Sequence, residues 1–364
     1  MKILHTSDHQ LDAPFLFLGE GGQRHREQLR KTFAAIVGMA QSQDYQLLLI
    51  AGDLFNSNHP LQSTLDTVVH LLGKLTIPVC ILPGNHDPYD QTSIYRRATF
   101  PANVTIFHDE IKLKVFPDLD LAIYGNAVTH KNQNERPLAN IRPRADVRWH
   151  VAMAHGSVVT GLSKNPNRPI QLEEIVHCGM DYVALGDWHS FADYSQGQVR
   201  AVYCGAPEPM AYDQEGAGFI SSVSLEGEGI RVEKIGVGEI HAQPVYLDVS
   251  GQNEAEIQEL ILEFAGTEKL TDVILTGLTE PATIIDPSRL EMLLSPRFYA
   301  LRIRDQSHPQ IRDLSTAVFP QGLVRRYIDI MADRAQHMQD SHQAGLVEKA
   351  LQLGVALLVG KDVV

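Results

Sequence analysis

The chain has 364 residues, of which 44% are hydrophobic, so it is long enough to form two or three domains with buried cores. No apolar run approaches the ~20 residues of a membrane span and no signal peptide fits before the first polar motif, so we expect a cytoplasmic protein. The net charge of −13 argues against a broad basic face for nucleic acid and leaves only local basic clusters to contact phosphate.

Strand-like apolar runs and helical patterns alternate through the first part of the chain. The apolar runs at residues 47–50, 79–82, 151–153 and 182–185 are short and β-rich, as buried parallel strands are. Helical periodicity is expected at residues 24–41, 61–74, 92–97 and 170–177. This alternation predicts a layered α/β fold.

Residues 201–238 read instead as strands separated by turns. They include a hairpin whose arms are residues 221–225 and 230–235. We expect these strands to close a second sheet, and we expect a domain boundary at residues 239–243.

Beyond that boundary the pattern describes a small β-α-β-α-β unit. Its strands are predicted at residues 244–249, 273–278 and 298–303, and its helices at residues 254–264 and 287–294. The last stretch, residues 323–358, is largely helical, and its apolar residues near a 3.6-residue repeat are Leu346, Ala350, Leu351, Val355 and Leu358. Such a stripe either packs within its own module, which is the commoner role, or docks a partner.

The strand-like runs lead directly into residue types that bind metal ions. The segments are Asp8-His9-Gln10, Gly52-Asp53, Gly84-Asn85-His86-Asp87, His155-Gly156 and Gly186-Asp187-Trp188-His189. A single Asp or His after a strand is more often a helix cap or a turn residue than a ligand. The carboxyl ends of parallel strands meet at one edge of a sheet, however, so the whole series gathers there and is hard to explain as caps. It predicts a metal-dependent enzyme with room for two metal ions.

The order of these motifs resembles the calcineurin-like metallophosphoesterase superfamily, and Gly84-Asn85-His86-Asp87 is its most specific signature. Residues 5–8, 11–15, 52–55 followed by Pro60, 182–186 and 203–209 resemble the DNA-repair exonuclease branch, the SbcD and YhaO type. The likeness covers about the first 215 residues. It implies a metallophosphoesterase catalytic domain at residues 1–240, built as a four-layer α/β/β/α sandwich. A small C-terminal α/β accessory (capping) module at residues 241–322 and a helical tail at residues 323–364 would follow.

The resemblance also implies a set of metal ligands. Asp53 would bridge two divalent cations, with Mn²⁺ the better candidate and Mg²⁺ the other, because hard oxygen donors suit both. The first cation would be held by Asp8, Asp53 and His189, with Gln10 nearby. The second would be held by Asp53, Asn85, His155 and Asp187.

His86 and Asp87 are the predicted catalytic residues. His86 directly follows a predicted ligand, so its imidazole can reach a phosphate or leaving-group oxygen as a general acid. Asp87 could orient that imidazole.

Two positions depart from the superfamily pattern. Gln10 and Asp187 stand where the superfamily usually has histidine, which puts the occupancy of the metal positions in question. His9 lies one residue before the position at which the superfamily usually has its histidine. We favour Gln10 over His9 as the ligand because residues i and i+2 of an extended strand share a face, which would place Gln10 beside Asp8.

The resemblance implies a manganese-dependent DNA nuclease, an exonuclease of DNA repair. Its candidate partners are DNA, an SbcC-like coiled-coil ATPase and a second copy of the chain. Arg142, Arg144 and Arg148 could contact DNA phosphates, although a plain surface loop fits them equally well. The acidic net charge favours an alternative, a phosphodiesterase or phosphatase acting on nucleotides or other small phosphoesters. A further alternative is a DNA-binding partner subunit with a weakened site.

Overall fold

Contacts divide the computed structural model of this chain into two compact units, Met1–Ala242 and Gln243–Val364. The structure describes residues 1–108, 112–132, 134–160, 166–227, 229–279, 285–309, 322–337 and 341–358. The predicted division into three domains stays a prediction; residues 310–321, beside the predicted boundary at 322, and residues 359–364 of the predicted tail lie outside these ranges. No helix within the described ranges combines the length and the apolar character needed to cross a membrane.

The first unit alternates short strands with helices, as the sequence predicted. Its strands are β1 (Lys2–Thr6), β2 (Leu47–Ile50), β3 (Val79–Ile81), β4 (Val104–Ile106), β5 (Leu113–Phe116), β6 (Leu121–Gly125), β7 (Trp149–His155), β8 (Tyr182–Gly186), β9 (Ala192–Asp193), β10 (Arg200–Tyr203), β11 (Phe219–Glu226) and β12 (Gly229–Gly236). Its helices are α1 (Gly21–Ser42), α2 (Gln62–Gly73), α3 (Ile94–Arg97) and α4 (Leu172–His177).

In the described part of the chain these strands form two six-stranded sheets. The first has the order β12-β11-β1-β2-β3-β4, and the second has the order β5-β6-β7-β8-β10-β9. Strands β1 to β4 are parallel, as are β6, β7, β8 and β10. Each sheet therefore has one edge at which the carboxyl ends of its parallel strands collect.

Alternating side chains bury both faces of each sheet. On β2, Leu48 and Ile50 pack against Phe33 and Ile36 of α1, while Leu47 and Leu49 face the second sheet. The outer face of the second sheet packs against α4 through Ile175 and against irregular segments. The expected α/β/β/α layering is confirmed, although the helix in the fourth layer has only six residues.

The predicted location of the hairpin is wrong. Of the strands predicted in residues 201–238, only β10 joins the second sheet, where it lies beside β8. The hairpin β11–β12 pairs with β1 at the edge of the first sheet. Without β11, one edge of β1 would carry main-chain N–H and C=O groups that lack partners inside the protein. Hydrophobic alternation indicates which face of a strand is buried but not which strand lies beside it, so the sequence could not reveal this.

The second unit has the predicted β-α-β-α-β order. Its first strand is β13 (His241–Asp248), which begins two residues before the boundary, and its other elements are α5 (Glu254–Leu262), β14 (Gly266–Thr276), β15 (Leu278–Thr279), α6 (Pro287–Leu294), β16 (Phe298–Asp305), β17 (His308–Pro309), α7 (Leu323–Gln336) and α8 (Ser341–Leu358). The side chain of Asn253 accepts hydrogen bonds from the N–H groups of Ala255 and Glu256, which fixes the start of α5. β13, β14 and β16 form a sheet in that order, with its apolar core against α5 and α6.

The predicted apolar stripe of the tail divides between two environments. Leu351 and Val355 of α8 are buried against Ile328 and Met331 of α7. Leu346, in contrast, is 55% exposed. Part of the stripe therefore holds the two helices together, and docking of a partner by the rest stays a prediction.

Candidate metal centre

The carboxyl ends of the two sheets meet at one place. The Nδ1 atom of His155, at the end of β7, lies 2.9 Å from the carbonyl oxygen of Ala51, just after β2. The N–H group of Asp187, just after β8, donates to Oδ1 of Asp8, which follows β1, at 3.1 Å. Loops of both sheets thus build a single site, as the motif series predicted.

The main chain at this site adopts conformations that L-residues rarely have. Asp8, Gln10, Asp53 and Asp187 have φ values of 54°, 41°, 52° and 100°. Positive φ in residues other than glycine costs about 1–3 kcal/mol each and clusters at functional sites. Gly52, at φ 104°, lies so close to His155 that a Cβ atom would overlap the imidazole, and a Cβ at Gly84 would overlap the carboxylate of Asp53.

Asp8, Asp53 and His155 form the buried centre of the site. They offer ligand atoms that all lie within 4.8 Å of one another, and all three side chains are almost inaccessible to solvent. The Nε2 atom of His155 is 3.5 Å from Oδ1 of Asp53. This is the spacing at which several groups can share one cation.

The electrostatics of this centre favour a bound cation. Burial raises the pKa of Asp8. Burial acts on Asp53 in the same direction, but His155 and His86 together outweigh it and hold the pKa of Asp53 below its ordinary value. Burial would lower the pKa of His155, yet Asp53 and the other carboxylates raise it to about 10. Among the described residues, the ion pairs of these carboxylates are with histidines. Buried carboxylates need compensating charge, so the residues fit a divalent cation, whose binding would displace the proton from His155.

The other predicted ligands surround this centre. Oδ1 of Asn85 is 2.7 Å from Nε2 of His155, and Oδ1 of Asp187 is 3.8 Å from the same atom. Nε2 of His189 lies 4.0 Å from Oδ1 of Asp8 and 3.2 Å from Nε2 of Gln10. The structure therefore brings every predicted metal ligand to one site.

Gln10 reaches the site for a reason other than the predicted one. The predicted extended strand does not continue this far, because β1 ends at Thr6, and Asp8 and Gln10 both have positive φ. These turns direct the amide of Gln10 to within 3.5 Å of Oδ2 of Asp53. His9 points elsewhere: its Nε2 atom is 3.0 Å from Oγ1 of Thr6, and burial lowers its pKa to about 3.

The predicted contact between Asp87 and the imidazole of His86 is wrong. Asp87 is buried, and its carboxylate accepts hydrogen bonds from the N–H groups of Phe55 and Gly84 at 2.9 and 2.8 Å and from the hydroxyl of Tyr95 at 2.6 Å. Burial raises its pKa to about 6. Asp87 therefore fixes the turn that carries Asn85 and His86 rather than the imidazole itself.

His86 lies at the open side of the site. Its side chain is 40% exposed, and its Nε2 atom is 4.0 Å from Oδ2 of Asp53. Its Nδ1 atom is 3.2 Å from the carbonyl oxygen of Asn56, so Asn56 rather than Asp87 orients the imidazole. The N–H group of His86 also donates to Oδ1 of Asp53 at 2.9 Å.

Three residues at the site were not predicted. The hydroxyl of Ser157 donates to Oδ2 of Asp187 at 2.6 Å, and the amide of Asn167 is 3.4 Å from its Oδ1. Nε2 of Gln214 is 2.8 Å from Nδ1 of His189 and so holds that ring in place. These residues belong to loops without periodic patterns, so the sequence carried no signal for them.

Changing Gln10 to histidine should strengthen the metal position that Gln10 shares with Asp8 and His189. In the wild type we expect that position to be the weaker one, because a neutral amide oxygen is a poorer donor than imidazole, and Gln10→His should tighten it most for Zn²⁺. Calorimetric titration with Mn²⁺ and Zn²⁺ measures both affinities. His9→Gln is the matched control and should leave them unchanged; two equally tight sites in the wild type would contradict the idea.

Comparisons with known proteins agree with this site. The model of the calcineurin-like phosphoesterase family matches residues 1–191, just over half of the chain. The chain is 26% identical over 216 residues to "Uncharacterized metallophosphoesterase YhaO" of Bacillus subtilis (strain 168), which covers 56% of this chain and 52% of that protein. The chain thus matches about half the length of this relative. With the family match lying over the strand ends that carry the candidate metal ligands, the chain belongs to the calcineurin-like phosphoesterase family, whose members are hydrolases of phosphoester bonds.

Proposed function

We propose that the protein is a DNA nuclease, an exonuclease of DNA repair that hydrolyses phosphodiester bonds with two divalent cations, Mn²⁺ in preference to Mg²⁺. The metal centre supports phosphoester hydrolysis. The observation that favours DNA over a small phosphoester is a cationic cavity beside that centre.

The residues of the site can each be given a task in hydrolysis. Divalent cations held by the carboxylates would activate a water molecule and neutralise the phosphate oxygens. Nδ1–H of His86 donates to the carbonyl oxygen of Asn56, which leaves Nε2 toward the site, where the imidazolium form of the ring can donate its Nε2 proton to the leaving oxygen. Asp87 and Tyr95 keep the turn rigid, so the acid stays beside the phosphate.

The cationic cavity has a volume of about 550 Å³ and lies at the carboxyl end of β6. Its basic lining residues are Lys112, Arg136, Arg142 and Arg144, and its acidic lining residue is Glu135. β6 pairs in parallel with β7, which carries His155 at its own end, so the cavity begins about one strand spacing, ~4.8 Å, from the strand of a metal ligand. A chain of phosphates with one phosphate at the metal centre could continue into this cavity.

These positive side chains cluster in one cavity although the whole chain has a net charge of −13. Arg136 is paired with Glu174 at 3.3 Å, whereas Arg142 contacts the neutral carbonyl oxygens of Ala139 and Ile141 and forms no ion pair with another described residue. Uncompensated guanidinium groups bind phosphate well.

The test compares end-labelled single- and double-stranded DNA with a small phosphodiester such as bis-p-nitrophenyl phosphate. The double variant Arg142→Gln/Arg144→Gln should weaken DNA binding and lower the slope of log K against log salt by ~1–2, since each phosphate contact contributes ~0.7–0.9. Turnover of the small diester should not change.

Arg148→Gln is the matched control, because Arg148 donates to the carbonyl oxygen of Gly227 at 2.9 Å and lies over the ring of Trp149 rather than in the cavity. Hydrolysis of small phosphoesters without cleavage of DNA would support the alternative that the acidic net charge favours. DNA binding without any hydrolysis would support a partner subunit with a weakened site.

A further inference from the structure

Trp188 is an exposed aromatic residue inside the metal-binding segment. It lies between the predicted ligands Asp187 and His189, and 55% of its surface is accessible. Tryptophan is highly buried on average, so the exposed indole of Trp188 beside two predicted metal ligands indicates a surface that binds another molecule. Trp188 has no role in the proposed hydrolysis.

A cavity of about 230 Å³ lies against this residue. Its lining residues are Asp187, Trp188, His189, Ser190, Asp213 and Gln214. Gln214 is already engaged with Nδ1 of His189 and with the N–H group of Met210, at 2.8 and 2.7 Å. The cavity therefore combines an aromatic surface with the carboxylate of Asp213, directly beside the metal centre.

The charge of this cavity decides what it can hold. A phosphate group would meet the carboxylate of Asp213, which is not among the predicted metal ligands, and would be repelled. A planar group that carries N–H donors would stack on the indole and donate a hydrogen bond to Asp213. Nucleobases with an exocyclic amino group have both properties, and Asp accepts from the amino group of cytosine in known modes of base recognition.

We propose that Trp188 and Asp213 form a nucleobase subsite, which binds the base next to the phosphate that is cleaved. The inference rests on the proposed nuclease function and specifies its substrate. Cytosine, adenine and guanine should bind better than thymine, which lacks an exocyclic amino group. Stacking on an aromatic side chain should contribute roughly 5- to 150-fold to binding.

Fluorescence gives a direct test that does not depend on turnover. The chain has two tryptophans, so Trp149→Phe leaves Trp188 as the only indole. Deoxycytidine monophosphate should quench its emission in a saturable way, thymidine monophosphate more weakly, and deoxyribose phosphate not at all. If Trp149→Phe does not fold, the same titration with the wild type and with Trp188→Phe isolates the same signal by difference. Equal or absent quenching by all three compounds would overturn the subsite.

Cleavage kinetics provide the second test. The ratio of kcat/KM for an intact oligonucleotide to that for one with an abasic site at the cleaved position should be high in the wild type. It should fall roughly 5- to 150-fold in Trp188→Ala and stay near the wild-type value in Trp188→Phe. Asp213→Asn should reduce the preference for cytosine over thymine. An unchanged ratio in Trp188→Ala would overturn the proposal.

Failure of the subsite and failure of the nuclease function are separable. A wild type that cleaves no DNA but shows base-dependent quenching would contradict the nuclease function and retain the subsite. If the wild type cleaves DNA at a rate that does not depend on the base next to the cleaved phosphate, the nuclease function is supported and the subsite is contradicted.

Discussion

Asp53→Asn should abolish hydrolysis and weaken both metal positions together. Oδ1 of Asp53 is 3.5 Å from Nε2 of His155, and Oδ2 is within 3.5 Å of the amide of Gln10, so its two oxygens face the two halves of the site. The substitution keeps the size of the side chain and removes the shared negative charge. Loss of the cations removes the charge that stabilises the transition state, and we expect activity to fall by at least ~10³-fold.

The matched control is Asp187→Asn, which alters a carboxylate on one side of the site only. Oδ1 of Asp187 is 3.8 Å from Nε2 of His155, and its other oxygen accepts from Ser157. This variant should lose one metal and keep the other. Metal content by mass spectrometry and calorimetric affinities for Mn²⁺ distinguish the two variants. One tightly bound metal with substantial activity in Asp53→Asn would show that Asp53 is not the shared ligand.

The positions of the candidate metal ligands could be derived from the sequence because they follow strand ends. Asp53 and Asp187 follow strands with clear apolar runs, and parallel pairing collects the carboxyl ends of the strands at one edge of each sheet. Glycine marked the same places, since Gly52 and Gly84 leave room that a Cβ atom would fill. These features are local in the sequence and repeat from one strand to the next.

The contacts between ligands and their supports could not be predicted in the same way. The partners of Asp87 are Phe55 and Tyr95, and Gln214 supports His189 from a loop beyond β10. Such contacts depend on the paths of irregular segments, for which neither periodicity nor spacing gives a signal. The sheet that the hairpin β11–β12 joins could not be predicted either, because the order of strands in a sheet depends on contacts between residues far apart in the sequence.

His86→Ala should lower kcat by ~10²–10⁴-fold, the usual contribution of a general acid, and leave the metal content unchanged. The hydrogen bond that joins His86 to Asp53 comes from the main-chain N–H group, so the alanine variant retains it. The imidazole itself is 40% exposed and makes its side-chain contact with the carbonyl oxygen of Asn56. Its removal should therefore disturb proton transfer and little else.

The leaving group provides the decisive comparison for His86. A p-nitrophenolate ion leaves without a proton, whereas a sugar hydroxyl needs one, so His86→Ala should slow the cleavage of DNA far more than that of bis-p-nitrophenyl phosphate. His59→Ala, which changes an exposed histidine on the neighbouring loop, is the control and should retain wild-type rates with both substrates. If both substrates slow equally and metal is lost in parallel, then His86 is a metal ligand and the acid must be sought elsewhere in the site.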